Sequence, residues 1–199
     1  MPLTDYDLET LTVARHEAAH AAAAVGFPVH AVDLAHGHTD IAFPLRPWQL
    51  YSAWERAPHQ TERQLVAIVG VILAPAHITR EPMPARCGDA AMLQEWREEW
   101  QRVCAFHPQG HASHGPTGGH DLPLPPLPWH SVCQRAQAAI NTWITAPGAR
   151  AALRYLAAAL TQEGAVDAVG WALLWEKPQY DPLRSQGGRE NFRHTGQYH

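Results

Sequence analysis

The sequence predicts a mainly α-helical domain that carries one small β-hairpin. Three observations lead there. Apolar residues recur at helical spacing through most of the chain, as in Leu8, Leu11, Ala14, Ala18, Ala22 and Val25. One stretch, 29–43, alternates instead with period two, and Gly37 interrupts it where a hairpin turn belongs. With 199 residues and 46% hydrophobic content, the chain has enough apolar side chain for one core.

The elements follow in order. A first helix is expected over 7–25, ended by Gly26-Phe27-Pro28. Strands over 29–34 and 39–43 make the hairpin. Ser52-Ala53-Trp54-Glu55 and Thr61-Glu62-Arg63-Gln64 both have capping-box form. The second should open an apolar helix over 65–74, which Pro75 stops. A helix over 89–106 carries Leu93, Trp96, Trp100 and Val103 as its apolar stripe, with charges on the other face. Residues 107–128, dense in Gly, Pro and His, read as a flexible loop. A helical pair over 131–145 and 147–162 comes next, with Pro147 at a first helical position. The final helix is 166–176. Residues 1–180 then form one domain, and 181–199 a disordered tail.

Composition narrows the function classes. A net charge of −4 with no basic stripe argues against nucleic acid. The start of the chain is acidic and lacks the basic region of a signal peptide. A membrane span needs about 20 apolar residues, and the run 65–74 is half that, so no span is expected. Cys87, Cys104 and Cys133 are odd in number and widely spaced. They read as free thiols of a cytoplasmic protein.

The chemistry is concentrated in His16-Glu17-Ala18-Ala19-His20, which has the form H-E-x-x-H. Residues four apart share one helix face, so two imidazoles there can bind one Zn²⁺ at roughly 2.0–2.1 Å each. Glu17 would stand beside the open coordination position as the base for a zinc-bound water. Even with 14 histidines in the chain, chance would give this pattern only about 0.05 times. Histidines and a glutamate among alanines are costly to bury without a partner, and a metal is one. Plain surface exposure is the competing explanation.

Catalytic zinc usually takes three protein ligands. The metzincin extension needs Gly and His where this chain has Ala23 and Gly26. Glu55 and Glu62 are candidates for a thermolysin-like third ligand, but both sit in capping boxes. Asp89 remains, at the start of a helix, where capping and the helix dipole already account for an aspartate without a metal.

The run Thr12-Val13-Ala14-Arg15-His16-Glu17-Ala18-Ala19-His20-Ala21, followed by Pro28-Val29-His30-Ala31-Val32-Asp33, resembles the peptidase domain of FtsH-type zinc metalloproteases. There a zinc helix of form A-x-H-E-A-G-H-A leads into a strand of form P-V-H-K-V. The family's third ligand is an aspartate some 70 to 80 residues later, at a helix start. Cys87-Gly88-Asp89-Ala90-Ala91 falls 73 residues beyond His16. The resemblance spans about residues 8–176. It implies a helical, zincin-like peptidase domain with Zn²⁺ on His16, His20 and Asp89 and with Glu17 catalytic. Three departures stand against it. Ala19 replaces the motif's glycine, the run 69–75 carries no acid, and the chain holds no G-x-x-x-x-G-K-[ST] loop for an ATPase.

The leading expectation is a zinc metalloendopeptidase acting without ATP on flexible peptides or disordered protein segments. The alternative is a non-catalytic zinc-containing interaction or regulatory module of the same fold. A third reading is a helical protein with no metal. His107, His111, His114, His120 and His130 lack regular spacing and fit a solvated loop better than a second metal site. A thiolate at Cys87 would lie close enough to Asp89 to tune a zinc, although such cysteines are more often packed. Trp171 and Trp175, one turn apart, read as core or an assembly surface. Self-association or a partner protein stays open.

Overall fold

Helices carry the core and a small sheet packs beside them, as the spacing of apolar residues predicts. The computed structural model describes residues 5–80, 88–106 and 125–176. Helix α1 (Asp5–Ala23) leads into strands β1 (Val29–Asp33) and β2 (His38–Ile41). A 3-10 turn (Pro47–Gln49) precedes α2 (Leu50–Arg56), α3 (Pro58–Thr79) and α4 (Gly88–Phe106). Helices α5 (Trp129–Thr145) and α6 (Ala149–Glu163), strand β3 (Ala165–Asp167) and helix α7 (Ala168–Glu176) complete it.

Alanine sets the packing of α1. Ala14, Ala18, Ala21 and Ala22 are buried, and methyl-sized side chains let neighbouring helices approach closely. α3 and α6 pack against α1. One apolar cluster joins α1, β1, α6, Trp143 and Trp171. A second joins Leu50, Trp54, Leu65, Ile68, Ile72, Trp96, Trp100 and Val132. α3 contributes to both, with Val71 in the first and Ile68 and Ile72 in the second. It is the one described helix long and apolar enough to cross a membrane, and half of its apolar window is buried inside the fold. A helix wedged between two clusters needs that composition.

Several expected boundaries move. α3 begins at Pro58 and runs through Pro75 to Thr79, so the proline does not stop it. Core packing on both sides holds the helix across the lost backbone bond. Neither capping box forms. Thr61 Oγ1 instead donates to Ala57 O within the helix, and Ser52 Oγ donates to Gln49 O. Glu62 Oε1 accepts the Leu127 N–H at 2.8 Å, tying α3 to the segment that enters α5. Pro147 lies ahead of α6, because Gly148 takes φ +83° and the chain must complete that left-handed turn before a helix can start.

The hairpin gains a third strand. β3 pairs antiparallel with β1 through Ala31↔Asp167, Val32↔Val166 and Asp33↔Ala165, giving the order β2-β1-β3. Its residues stand where the sequence predicts the start of the last helix. Three residues carry too little periodicity to mark a strand, and their partner is far away in the chain. The tail 181–199, most of the loop 107–128 and Cys87 lie outside the described residues.

Candidate metal centre

The H-E-x-x-H stretch sits in the second half of α1, on a face turned towards α3, β2 and the start of α4. Helical geometry stacks His16 and His20, whose rings meet edge-on with centroids 4.9 Å apart. Asp89 stands in the first turn of α4, where the helix dipole favours a carboxylate. Its Oδ2 lies 2.9 Å from His16 Nε2 and 3.1 Å from His20 Nε2. One ligand atom from each residue falls within 4.8 Å of the other two. Sequence spacing left Asp89 open between capping and ligation; the fold puts its side chain against both histidines.

The donor set fits a cation. His20 Nδ1 is 2.9 Å from the carbonyl of Val71. A carbonyl only accepts, so Nδ1 carries a proton, and Nε2 is the ring atom that faces Asp89. At 3.1 Å, Nε2 and the carboxylate need a positive charge between them, which a proton or a divalent metal supplies. Burial pushes the Asp89 carboxyl up, but with a proton on each Nε2 the hydrogen bonds from His16 and His20 outweigh it and hold the group well below the usual carboxylate range. Asp89 is thus an anion set against two imidazoles, the protonation state a metal ligand requires.

Glu17 is only 4% exposed. Thr39 Oγ1, from β2, donates to its Oε2 at 2.6 Å. This bond ties α1 to the hairpin. The sequence marks Thr39 only as a strand residue, and no local signal makes it a partner of Glu17. The Val71 carbonyl was equally invisible, since a backbone acceptor has no residue signature.

Glu17, His20 and Asp89 line a cleft of about 410 Å³. Residues 37–41 with β2 form one wall, and Met92, Glu95 and Trp96 of α4 form another. Trp48, 69% exposed, stands on its rim. Among the described residues, β2 is an edge strand of the sheet. A larger hollow of about 820 Å³, between α3, α5 and the turn after α1, contains none of the three metal-ligand candidates.

The other sequence candidates lie elsewhere. Glu55 is exposed and accepts from the Tyr51 hydroxyl, while Glu62 holds Leu127. His130 opens α5 and contacts Ser131 Oγ. His107, His111, His114 and His120 lie outside the described residues. Cys104 and Cys133 are free, and burial pushes both thiols up, away from the thiolate form that binds metal. No family model, curated protein or solved structure matches this chain.

Proposed function

We propose that the chain is a zinc-dependent metallopeptidase of the FtsH-like type, hydrolysing peptide bonds in flexible peptides or disordered segments without ATP. The observation that carries this is the convergence of His16, His20 and Asp89 from two helices, with Glu17 lining the same cleft as His20 and Asp89. His16, His20 and Asp89 would hold the ion. Bound zinc would polarise a scissile carbonyl and bring the pKa of a water towards about 7.

The remaining roles belong to the chain. Glu17 takes the proton of the attacking water and passes it to the leaving amine. Thr39 occupies Oε2, which fixes the carboxylate and leaves Oε1 for the transfer. β2, an edge strand among the described residues, offers backbone groups with which an extended peptide can pair. An extended peptide or disordered segment can lay its backbone along such an edge without first unfolding, which is why flexible substrates are proposed.

The test is Glu17→Gln, assayed beside the parent for zinc content and for cleavage of a broad peptide library. The variant should keep about one zinc per chain and lose roughly 10²–10⁴ in rate, the usual contribution of a general base. Full activity in zinc-loaded Glu17→Gln would overturn the peptidase proposal. A zinc-loaded parent that cleaves nothing would favour the non-catalytic interaction module.

A further inference from the structure

In an α-helix the N–H of residue i bonds the carbonyl of residue i−4. The carbonyl of Val71 is therefore owed a proton by residue 75. Position 75 holds a proline inside α3. Proline has no N–H, and its ring crowds the carbonyl four residues back, turning it off the helix axis. Val71 is 1% exposed, so solvent does not take the place of the missing donor. A buried carbonyl without a donor is costly, and in this fold the donor is His20 Nδ1 at 2.9 Å.

We infer that Pro75 is a positioning residue for the metal centre: by withholding a backbone N–H it leaves the Val71 carbonyl to His20, and so fixes the ring tautomer that presents Nε2 to the ion. The inference rests on the zinc reading of His16, His20 and Asp89. It explains why a 22-residue core helix keeps a proline one turn from its end. The break costs α3 one hydrogen bond and gives His20 an acceptor that no side chain in that apolar cluster supplies. Ring orientation follows as well, because Nδ1 is anchored on α3 while Nε2 faces Asp89 on α4. Partners of this kind typically change metal affinity by 10–100-fold when removed.

Pro75→Ala restores an N–H that competes for the Val71 carbonyl. Two readouts test it in the full-length protein, with helical circular dichroism as the folding check. Zinc affinity, measured by competition with a chromophoric chelator, should fall by roughly 10–100-fold. Long-range ¹H–¹⁵N spectra of the zinc-free protein at alkaline pH, with His20 assigned through His20→Gln, should show Nδ1–H in the parent. In Pro75→Ala the Nε2–H form should appear. A structural role alone would lower stability and leave the tautomer unmoved. An Nε2–H tautomer in the parent overturns the inference, and so does unchanged zinc affinity with an unchanged tautomer in Pro75→Ala. A parent that binds no zinc defeats the metal reading instead, and its tautomer still decides whether Val71 is the partner of His20.

Discussion

Glu17 shows what a single buried side chain asks of its surroundings. It lies nearly out of solvent, and the Thr39 hydroxyl meets its carboxylate. Thr39→Val keeps the shape and removes the donor. It should cost about 1–3 kcal/mol, the penalty for leaving a buried polar group short of a partner. Thr39→Ser should recover most of that loss, and urea unfolding of the three proteins gives the comparison. Asp89 makes the complementary case. Asp89→Ala removes the oxygen that both histidines face, so zinc per chain, measured by elemental mass spectrometry, should drop from about one towards zero. Retained stoichiometry would place the third ligand elsewhere. His16, Glu17 and His20 were legible in the sequence because their spacing lies within one helix. Asp89 was singled out only by the family resemblance, since its own residues leave a helix-start aspartate open to a cap as well as a metal.

At the scale of elements, the hairpin matters because β2 carries Thr39 and forms a wall of the cleft. Its turn depends on Gly37, which takes φ +54°, and on Asp33, whose Oδ1 accepts the N–H groups of Ala35 and His36. Gly37→Ala should destabilise by about 1–2 kcal/mol, because a Cβ disfavours the left-handed region. Gly37→Asn should cost less, since asparagine tolerates that region. Equal losses in the two variants would remove the conformational explanation. The helices themselves were legible from apolar spacing. The continuation of α3 through Pro75 is not legible locally, because local propensity ends a helix at proline whereas packing on two sides of α3 carries this one onward. β3 escaped for the reason opposite to a strong local preference: it exists only because β1 is there to pair with it.

On the scale of the whole molecule, the metal centre would act as a clasp. α1 and α4 belong to different apolar clusters, and His16, His20 and Asp89 join them across 73 residues of chain. An ion bound only by the folded state adds about 2.7 kcal/mol at a free concentration 100 times its Kd. Chelation should therefore lower the unfolding midpoint of the parent and leave that of His20→Ala unmoved. Calorimetry with and without chelator reads both. The second cluster makes a separate demand. Trp100 is fully buried, packs edge-on against Trp54, and donates its indole N–H to Leu127 O at 2.7 Å. Trp100→Ala should cost about 3–5 kcal/mol, whether or not zinc is present.

What the sequence determined by itself is whatever repeats within a few residues: the helices, the hairpin, and two histidines with a glutamate on one helical face. Those follow from backbone periodicity, which neighbouring side chains reveal without knowledge of the fold. Tertiary structure decided the rest. It brought Asp89 against the histidines, set Thr39 on Glu17, turned Val71's carbonyl to His20, and recruited β3 to the sheet. Each of these joins residues far apart in the chain, and the packing of α1 against α3, with α4 closing the cleft, settles which of them meet.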